Sequence, residues 1–95
     1  MNVNWTQSAL ADLRAVHSRI ARSSKPYAQS MVERIFNRTA ILANYPFFGP
    51  EVAEYQDEMI RELFEDPYRI IYRLLEDRVD IVAVVHGARR LRRKL

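Results

Sequence analysis

Two runs rich in β-branched and aromatic residues near the end of the chain constrain its fold more than any other feature. Residues Tyr68 to Glu76 and Val79 to His86 are typical of strands, and only Asp77 and Arg78 separate them. A two-residue connection forces neighbouring strands into an antiparallel hairpin. A third such run, Met59 to Phe64, precedes them across a connection of three residues, Glu65 to Pro67. The pattern therefore predicts three consecutive antiparallel strands.

The first half of the chain predicts one short strand followed by two helices. Residues Asn2 to Trp5 alternate polar and apolar side chains, and Thr6 is placed to cap a helix from Gln7 to Arg22. A second helix begins near Pro26 and ends near Asn44. The connection between the helices is short, so they form an antiparallel hairpin. The prediction is an α+β fold of order β-α-α-β-β-β, one domain over residues 1–95, with the helical hairpin packed on a small, mostly antiparallel sheet.

A proline-rich segment separates the second helix from the three strands. Residues 45–50 contain two prolines, which favour an ordered loop over helix interior. Adjacent Phe47 and Phe48 in this loop are expected to pack back onto the core.

The short turns also predict the register of the sheet. A turn at Asp77 and Arg78 pairs Arg69 with His86 and Leu74 with Ile81, and a turn at residues 64–67 pairs Glu62 with Arg69 and Leu63 with Tyr68. The face that is expected to bury the helices then holds Leu63, Tyr68, Ile70, Tyr72, Leu74, Val79, Ile81, Ala83 and Val85. The other face holds Ile60, Ile71, Val82 and Val84 with the charged or titratable residues Glu62, Arg69, Arg73 and His86. A mixed face of this kind is covered by the C-terminal tail or kept for a ligand or partner.

In this register three side chains suited to acid–base chemistry form a row across neighbouring strands. They are Glu62, Arg69 and His86, and Arg73 lies on the same face. A carboxylate, a guanidinium and an imidazole can supply the base, the phosphate-binding cation and the acid of metal-free RNA cleavage. A structural ion pair between Glu62 and Arg69, with His86 at a strand end, gives the same pattern, and such rows are common in sheets.

Positive charge is concentrated at the C-terminus. The last seven residues contain five cationic side chains, and without them the formal net charge of +3 becomes −2. This basic tail, residues 87–95, therefore points to an anionic partner, either the phosphates of nucleic acid or an acidic protein segment. A frayed terminus that aids solubility has the same composition, although five cations are denser than solubility requires.

Several classes of function are excluded or disfavoured. The chain has no cysteine, which excludes disulfides and thiolate metal sites and is typical of a reducing cytoplasm. His17 has no neighbouring ligand, so no metal site is predicted, and no phosphate-binding loop or nucleophile motif calls for a cofactor. The N-terminus does not resemble a signal peptide, and the longest apolar run, Ile81 to Val85, is far shorter than the ~20 residues that span a bilayer. We expect a cytoplasmic protein without a membrane role.

Five segments carry a resemblance to a known family. They are Trp5-Thr6 with Ala9 and Leu13, Pro46 with Gly49, Ile60 to Leu63, Tyr68 to Arg73, and Val84 to Arg89. In this order they resemble the RelE/ParE superfamily of bacterial type II toxins. The match covers nearly the whole chain, and the β-α-α-β-β-β fold that the resemblance implies agrees with the pattern above.

The resemblance implies one of two activities. RelE-like toxins cut messenger RNA in the ribosomal A site, and they carry lysines on the strand that here holds Glu62 and a tyrosine near the C-terminus. Here no tyrosine follows Tyr72, although Arg69 and Arg89 match family arginines. Other ribonucleases of the family use a glutamate and a histidine, so in this alternative the catalytic residues are Glu62, Arg69 and His86.

ParE-like toxins poison DNA gyrase and block replication, and the present chain is more similar to them. The similarity lies in the Arg-Glu-Leu and His-Gly-Ala-Arg segments, residues 61–63 and 86–89. Pro50 stands where many relatives have arginine, so the preceding loop is not expected to act on a target. The residues expected to bind the target are Arg73, Arg89, Arg90, Arg92 and Arg93.

The resemblance also implies a cognate antitoxin as partner. Its acidic, largely disordered segment would lie against the helical hairpin and the second sheet face and neutralise the arginines. A third interpretation is an inactive toxin homologue that only binds its antitoxin. In that case expression without antitoxin leaves growth unaffected.

Overall fold

The computed structural model describes all 95 residues and confirms the predicted α+β fold and order of elements. Strand β1 (Asn2–Trp5) leads into helices α1 (Gln7–Ala21) and α2 (Lys25–Arg38), and strands β2 (Ile60–Glu65), β3 (Tyr68–Leu74) and β4 (Arg78–His86) follow. The strands form one sheet in the order β1-β4-β3-β2. Strand β1 runs parallel to β4, and the other neighbours are antiparallel.

Helix α1 begins after the predicted cap Thr6, and α2 is capped by Ser24, close to its predicted start near Pro26. The hydroxyls of Thr6 and Ser24 each accept a hydrogen bond from the amide three residues later, at 3.1 Å. The second helix is shorter than predicted, because its α-helical part ends at Arg38 and only a tighter 3-10 turn, Thr39–Ala43, continues toward Asn44. None of the helices has the length and apolar character needed to cross a membrane.

The larger core lies between the helices and the sheet, and we call it the helix-side core. Apolar residues at helical spacing on α1 and α2 meet alternate residues of the strands there. Its buried members are Ala9, Leu13, Val16, Met31, Ile35, Leu42, Leu63, Tyr68, Ile70, Tyr72, Leu74, Val79, Ile81 and Val84. Seven of the nine strand residues predicted for this face are among them. The smaller tail-side cluster occupies the opposite face and comprises Val52, Ile60, Ile71, Ala83, Val85 and Leu91.

The register of both hairpins differs from the prediction by two residues. The β3–β4 turn lies at Glu76 and Asp77, one residue earlier than predicted, and the β2–β3 turn is shortened to residues 66–67. Leu74 consequently lies opposite Val79, and Glu62 lies opposite Ile71 rather than Arg69. Because the side-chain period of a strand is two, a shift of two residues keeps each residue on its predicted face.

A β-bulge in β4 produces a larger departure. Ile81 pairs with Tyr72 and Ala83 pairs with Ile71, so Val82 has no partner on β3. One extra residue in a strand moves every later residue to the opposite face. The part of β4 beyond the bulge is therefore inverted relative to the prediction.

The inversion corrects four predicted positions. Ala83 and Val85 belong to the tail-side cluster, and Val84 belongs to the helix-side core, whereas the prediction had them on the other faces. His86 pairs with Tyr68 and so lies on the helix side of the sheet. The predicted pairing of His86 with Arg69 is wrong.

The loop at residues 45–50 also departs from expectation. Phe47 and Phe48 are 56% and 53% exposed, so the prediction that they pack on the core is wrong. The buried residue is Gly49, whose amide donates a hydrogen bond to the Tyr72 hydroxyl at 2.9 Å. A Cβ at this position would lie 2.1 Å from the Glu62 carbonyl oxygen. Only glycine therefore allows the loop to run this close to β2.

Candidate functional site

The tail folds back over the sheet face opposite the helices. Leu91 is buried in the tail-side cluster, and half-buried Leu95 packs against the same cluster. The tail thus covers Ile60, Ile71 and Val85, whose apolar side chains would otherwise face water. The sequence predicts that this face is covered either by the tail or by a ligand or partner, and in the structure the tail covers it.

Three charged side chains form a buried ion cluster beneath the tail: Glu54, Arg69 and Glu62. Arg69 donates from Nε to Glu62 at 2.6 Å and from both terminal nitrogens to the two Glu54 oxygens, each at 2.9 Å. Glu62 and Arg69 are only 7% and 8% exposed. Glu54 also accepts the Leu91 amide at 3.0 Å. The ion cluster therefore joins β2, β3, the preceding loop and the tail.

The ion cluster keeps Glu54 and Arg69 charged. Hydrogen bonds from Arg69, followed by the hydrogen bond from the Leu91 amide, lower the pKa of Glu54 from 4.5 to about 2. The hydrogen bonds to Glu54, with those to Glu62, raise the pKa of Arg69 above its usual value. Both groups are therefore ionised throughout the physiological pH range.

The geometry leaves Arg69 little capacity for a ligand. Besides its bonds to the two carboxylates, it donates to the Arg89 carbonyl at 3.4 Å. A guanidinium has five N–H donors, and the four contacts already use four of them here. A phosphate could bind Arg69 through two hydrogen bonds only by displacing Glu54, which would leave a carboxylate without its counter-ion.

His86 does not join the ion cluster. Its ring lies edge-on to Tyr68, with ring centres 5.9 Å apart, and its Nδ1 accepts the Ala88 amide at 3.2 Å. Because the bulge places His86 on the helix side while Glu62 and Arg69 lie on the tail side, the predicted row across three strands is wrong. The catalytic role assigned to the three residues stays a prediction.

The residues predicted to bind a target fall into two groups. Arg89, Arg90 and Arg92 are exposed, and their side chains make no hydrogen bond or ion pair within the chain. Arg73 instead donates to the Leu95 carbonyl, and Arg93 pairs with an aspartate of α1 at 3.0 Å. The first group is available to a partner, and the second group fastens the tail.

The sequence pattern predicts neither Glu54 nor Asp12 as important, although the tail depends on both. Glu54 lies in a loop without periodicity. Asp12 accepts hydrogen bonds from the Val84 amide at 2.9 Å and from Arg93, across 72 and 81 residues of sequence. No local sequence pattern indicates contacts between residues this far apart in the chain.

No group of three His, Cys, Asp or Glu side chains is arranged to hold a metal ion.

Comparison of the sequence with known proteins identifies a family. A sequence model of the family described as the ParE toxin of the type II toxin–antitoxin system, parDE, matches residues 3–91. The chain is also 38% identical over 88 residues to a curated protein named Toxin RelE2 from Caulobacter vibrioides, covering 92% of this chain and 96% of that protein.

Solved structures share the fold. One described as the chromosomal ParDE TA system from P. aeruginosa superimposes with a TM-score of 0.77 at 21% identity, covering 90% of this chain and 95% of that one. The toxin–antitoxin complex RelBE2 from Mycobacterium tuberculosis gives a TM-score of 0.59 at 24% identity, covering 93% and 92%. The family model, the curated relative and the fold confirm the resemblance carried by the five segments. The chain belongs to the ParE toxin family, within the RelE/ParE superfamily of type II toxin–antitoxin toxins.

Proposed function

We propose that this toxin arrests growth by binding DNA gyrase through the exposed arginines of its tail, and that a cognate antitoxin neutralises it. The observation that carries the proposal is the contrast between Arg69, held by two carboxylates, and Arg89, Arg90 and Arg92, which are free. A protein that acts by binding requires exposed recognition groups and no general acid or base. The match of residues 3–91 to the ParE toxin family supports this choice.

The charge of the free arginines defines how the toxin engages its target. Three exposed guanidinium groups within four residues attract either DNA phosphates or acidic protein surface, and both attractions weaken as salt rises. The fixed tail presents these groups from one site on the molecule. In the cytoplasm, the complex of gyrase with DNA offers both DNA phosphates and acidic protein surface.

The test is brief induction of the chain in bacteria, with DNA and protein synthesis followed separately by pulse labelling. Loss of DNA synthesis with a DNA-damage response, before translation falls, is the expected result. Purified toxin should also inhibit supercoiling by purified gyrase. Immediate arrest of translation with unaffected supercoiling would contradict the proposal.

A matched pair of variants tests the tail arginines. Changing Arg89, Arg90 and Arg92 together to Glu should abolish inhibition of gyrase, because the attractive charge becomes repulsive. The control changes three exposed cations of the helical hairpin, Arg14, Arg22 and Lys25, to Glu, which alters net charge equally. Equal loss in both variants would show that only net charge matters.

A ribonuclease is the second candidate, favoured by the 38% identity to a protein named Toxin RelE2. A cavity of about 330 Å³ beside the ion cluster is lined by Glu54, Arg69, Arg89 and Arg90, among others, and could admit a phosphate if Glu54 moved. Cleaved messenger RNA on induction, lost in Glu62→Gln and His86→Ala, would establish this activity. Growth that is unaffected by induction would instead favour an inactive homologue that only binds antitoxin.

A further inference from the structure

The turn at residues 45–48, which we call the aromatic turn, exposes three ring side chains on an ordered backbone. Tyr45 is 63% exposed, and Phe47 and Phe48 are exposed to a similar degree. The Phe48 amide donates to the Tyr45 carbonyl at 3.0 Å and closes the turn, and the Tyr45 amide donates to the Ile41 carbonyl at 3.0 Å. Because the backbone is already fixed, the rings lose little conformational freedom when a partner buries them.

Two arginines lie over the rings of the aromatic turn and have no carboxylate partner. The Arg61 guanidinium lies 4.9 Å from the centre of the Phe47 ring, and the Arg38 guanidinium lies 5.5 Å from that of Phe48. Hydrogen bonds to backbone carbonyls at 2.9 to 3.3 Å hold both side chains. Neither arginine takes part in an ion pair. Each therefore presents a positioned positive charge that the chain does not neutralise.

Two glutamates without an internal partner lie on the same surface. Glu65 projects from the same face of β2 as Arg61, because the two residues are four apart. Glu51 lies opposite Arg61 across an antiparallel bridge, which places both side chains on one face. Neither glutamate forms an ion pair. The surface therefore carries unpaired charges of both signs, whereas the exposed charges of the tail are cationic.

An apolar groove of about 490 Å³ adjoins the aromatic turn. Pro46 and Phe47 contribute to its lining, together with Met1, Met59 and Leu75. Both methionines are exposed, so water covers apolar surface here. The surface thus combines protruding rings with an apolar depression that can admit a ring.

We propose that this surface joins two copies of the chain about a two-fold axis. The rings of one aromatic turn enter the groove of the other copy, and the two arginines meet the two glutamates across the interface. A two-fold contact requires a surface that is complementary to itself, and rings beside a groove with arginines beside glutamates meet that requirement. Aromatic and arginine side chains are also enriched among the residues that dominate binding energy in such contacts. The inference goes beyond the proposed function, because this surface shares no residue with the tail.

The exposed area is sufficient for a weak dimer. Aromatic side chains bury about 150–250 Å² each, so the exposed parts of three rings contribute roughly 300 Å². The groove lining and the two arginines add about as much, which gives on the order of 600 Å² per copy, the lower end of the range for specific interfaces. We therefore expect a dissociation constant in the micromolar range.

Single-stranded nucleic acid fits this surface less well than a second copy does. Arginine already covers one side of the Phe47 and Phe48 rings, which reduces the ring face left for a base. Phosphates would also approach the carboxylates of Glu51 and Glu65, and like charges repel. A second copy brings arginines to those carboxylates.

Analytical ultracentrifugation of the purified chain at increasing concentration tests the inference. The wild type should pass from monomer to dimer between about 1 and about 300 µM. Phe48→Ser should weaken dimerisation by at least about tenfold, because it removes a ring from the centre of the contact. The control is Tyr27→Ser, which removes a ring on α2 that is equally exposed and also lies beneath an arginine. It should leave dimerisation unchanged.

A charge exchange tests whether the two surfaces belong to identical chains. One variant carries Arg38→Glu with Arg61→Glu, and the other carries Glu51→Arg with Glu65→Arg. Each alone should stay monomeric over the same range, because like charges then face each other across the two-fold axis. Their equimolar mixture should dimerise, because unlike charges meet again. Circular dichroism checks the folding of both, and if either is unfolded the comparison of the two serine variants decides.

Three outcomes would overturn the inference: a wild type that stays monomeric, a dimer that Phe48→Ser leaves intact, or a mixture of folded charge variants that stays monomeric. Binding of a short single-stranded RNA or DNA to the monomer, lost in Phe48→Ser but not in Tyr27→Ser, would assign the surface to nucleic acid instead. None of these results bears on inhibition of supercoiling, which tests the tail arginines separately.

Discussion

The two faces of the sheet are buried by different means. The helix-side core is covered by two regular helices that supply apolar side chains at helical spacing. The tail-side cluster is covered by an irregular tail that supplies Leu91 and Leu95 and is fixed by ionic and backbone contacts. Burial under the helices therefore depends on many interchangeable apolar contacts, whereas burial under the tail depends on a few specific polar contacts.

This difference has a consequence for function. The exposed arginines are held in place by Leu91 and by the ion cluster around Arg69, and not by regular secondary structure. A change in one anchor should therefore alter the presentation of the arginines while the helix-side core stays intact. Stability and target binding are expected to separate more readily on the tail side than on the helix side.

Removal of Arg69 is expected to have the largest effect. Arg69→Ala leaves the carboxylates of Glu54 and Glu62 beneath the tail without their counter-ion, which should lower the free energy of unfolding by about 3–5 kcal/mol. Urea unfolding followed by circular dichroism measures the loss. Arg78→Ala, which breaks a more exposed ion pair on β4, is the control and should cost much less, because water screens an exposed pair. Similar losses in both variants would show that the ion cluster stabilises the fold no more than an exposed ion pair does.

A pair of adjacent isoleucines compares the two faces directly. Ile70 and Ile71 are both 0% exposed, but Ile70 faces the helices and Ile71 faces the tail. Truncation to Ala should cost about 3–4 kcal/mol at Ile70 and about 2 kcal/mol at Ile71, because an irregular segment can settle into the space that a lost side chain leaves. Urea unfolding of the two variants gives the comparison. Equal losses would mean that the tail packs as rigidly as the helices.

How far the sequence predicts the structure also differs between the faces. Periodicity is sufficient for the element order and for the residues under the helices, such as Ile70 and Tyr72, because alternation and helical spacing are local properties. The bulge is not predictable in this way. Ile81 to Val85 is an uninterrupted apolar run, and without polar residues in alternation no residue marks the change of face at Val82.

The candidate site is predicted only in part, for the same reason. A shift of two residues from the predicted register keeps Arg69 and Glu62 on the same face. Their ion pair can therefore be inferred from the hairpin. Glu54 joins them from a loop whose path is set by Gly49 and by the buried Val52, which are tertiary contacts without local pattern. The division of the tail arginines into free and paired groups depends on such contacts as well.

Acid should weaken the cover of the tail side. The pKa of Glu54 is lowered from 4.5 to about 2 in the folded protein, so its contribution is fully present above pH 4.5 and is lost as pH falls towards 2. The contribution is on the order of 3 kcal/mol at most. Urea unfolding at several pH values should show the stability advantage of the wild type over Glu54→Gln shrinking through this range. A difference in stability between the two proteins that does not change with pH would contradict the lowered pKa of Glu54.

The pair between Arg93 and Asp12 should have the smallest effect on stability. Its side chains are 37% and 20% exposed, so Arg93→Ala should lower the free energy of unfolding by about 0.5–1 kcal/mol. Its local effect should be larger, because the pair fastens the second half of the tail to α1. Amide hydrogen exchange of Leu91 should accelerate in Arg93→Ala, whereas exchange of Ile70 should change only by the small global loss. Arg92→Ala, which removes an exposed and unpaired neighbour, is the control. Acceleration at Leu91 and Ile70 by the same factor would mean that the tail opens only when the whole chain unfolds, and the two faces would then form one cooperative unit.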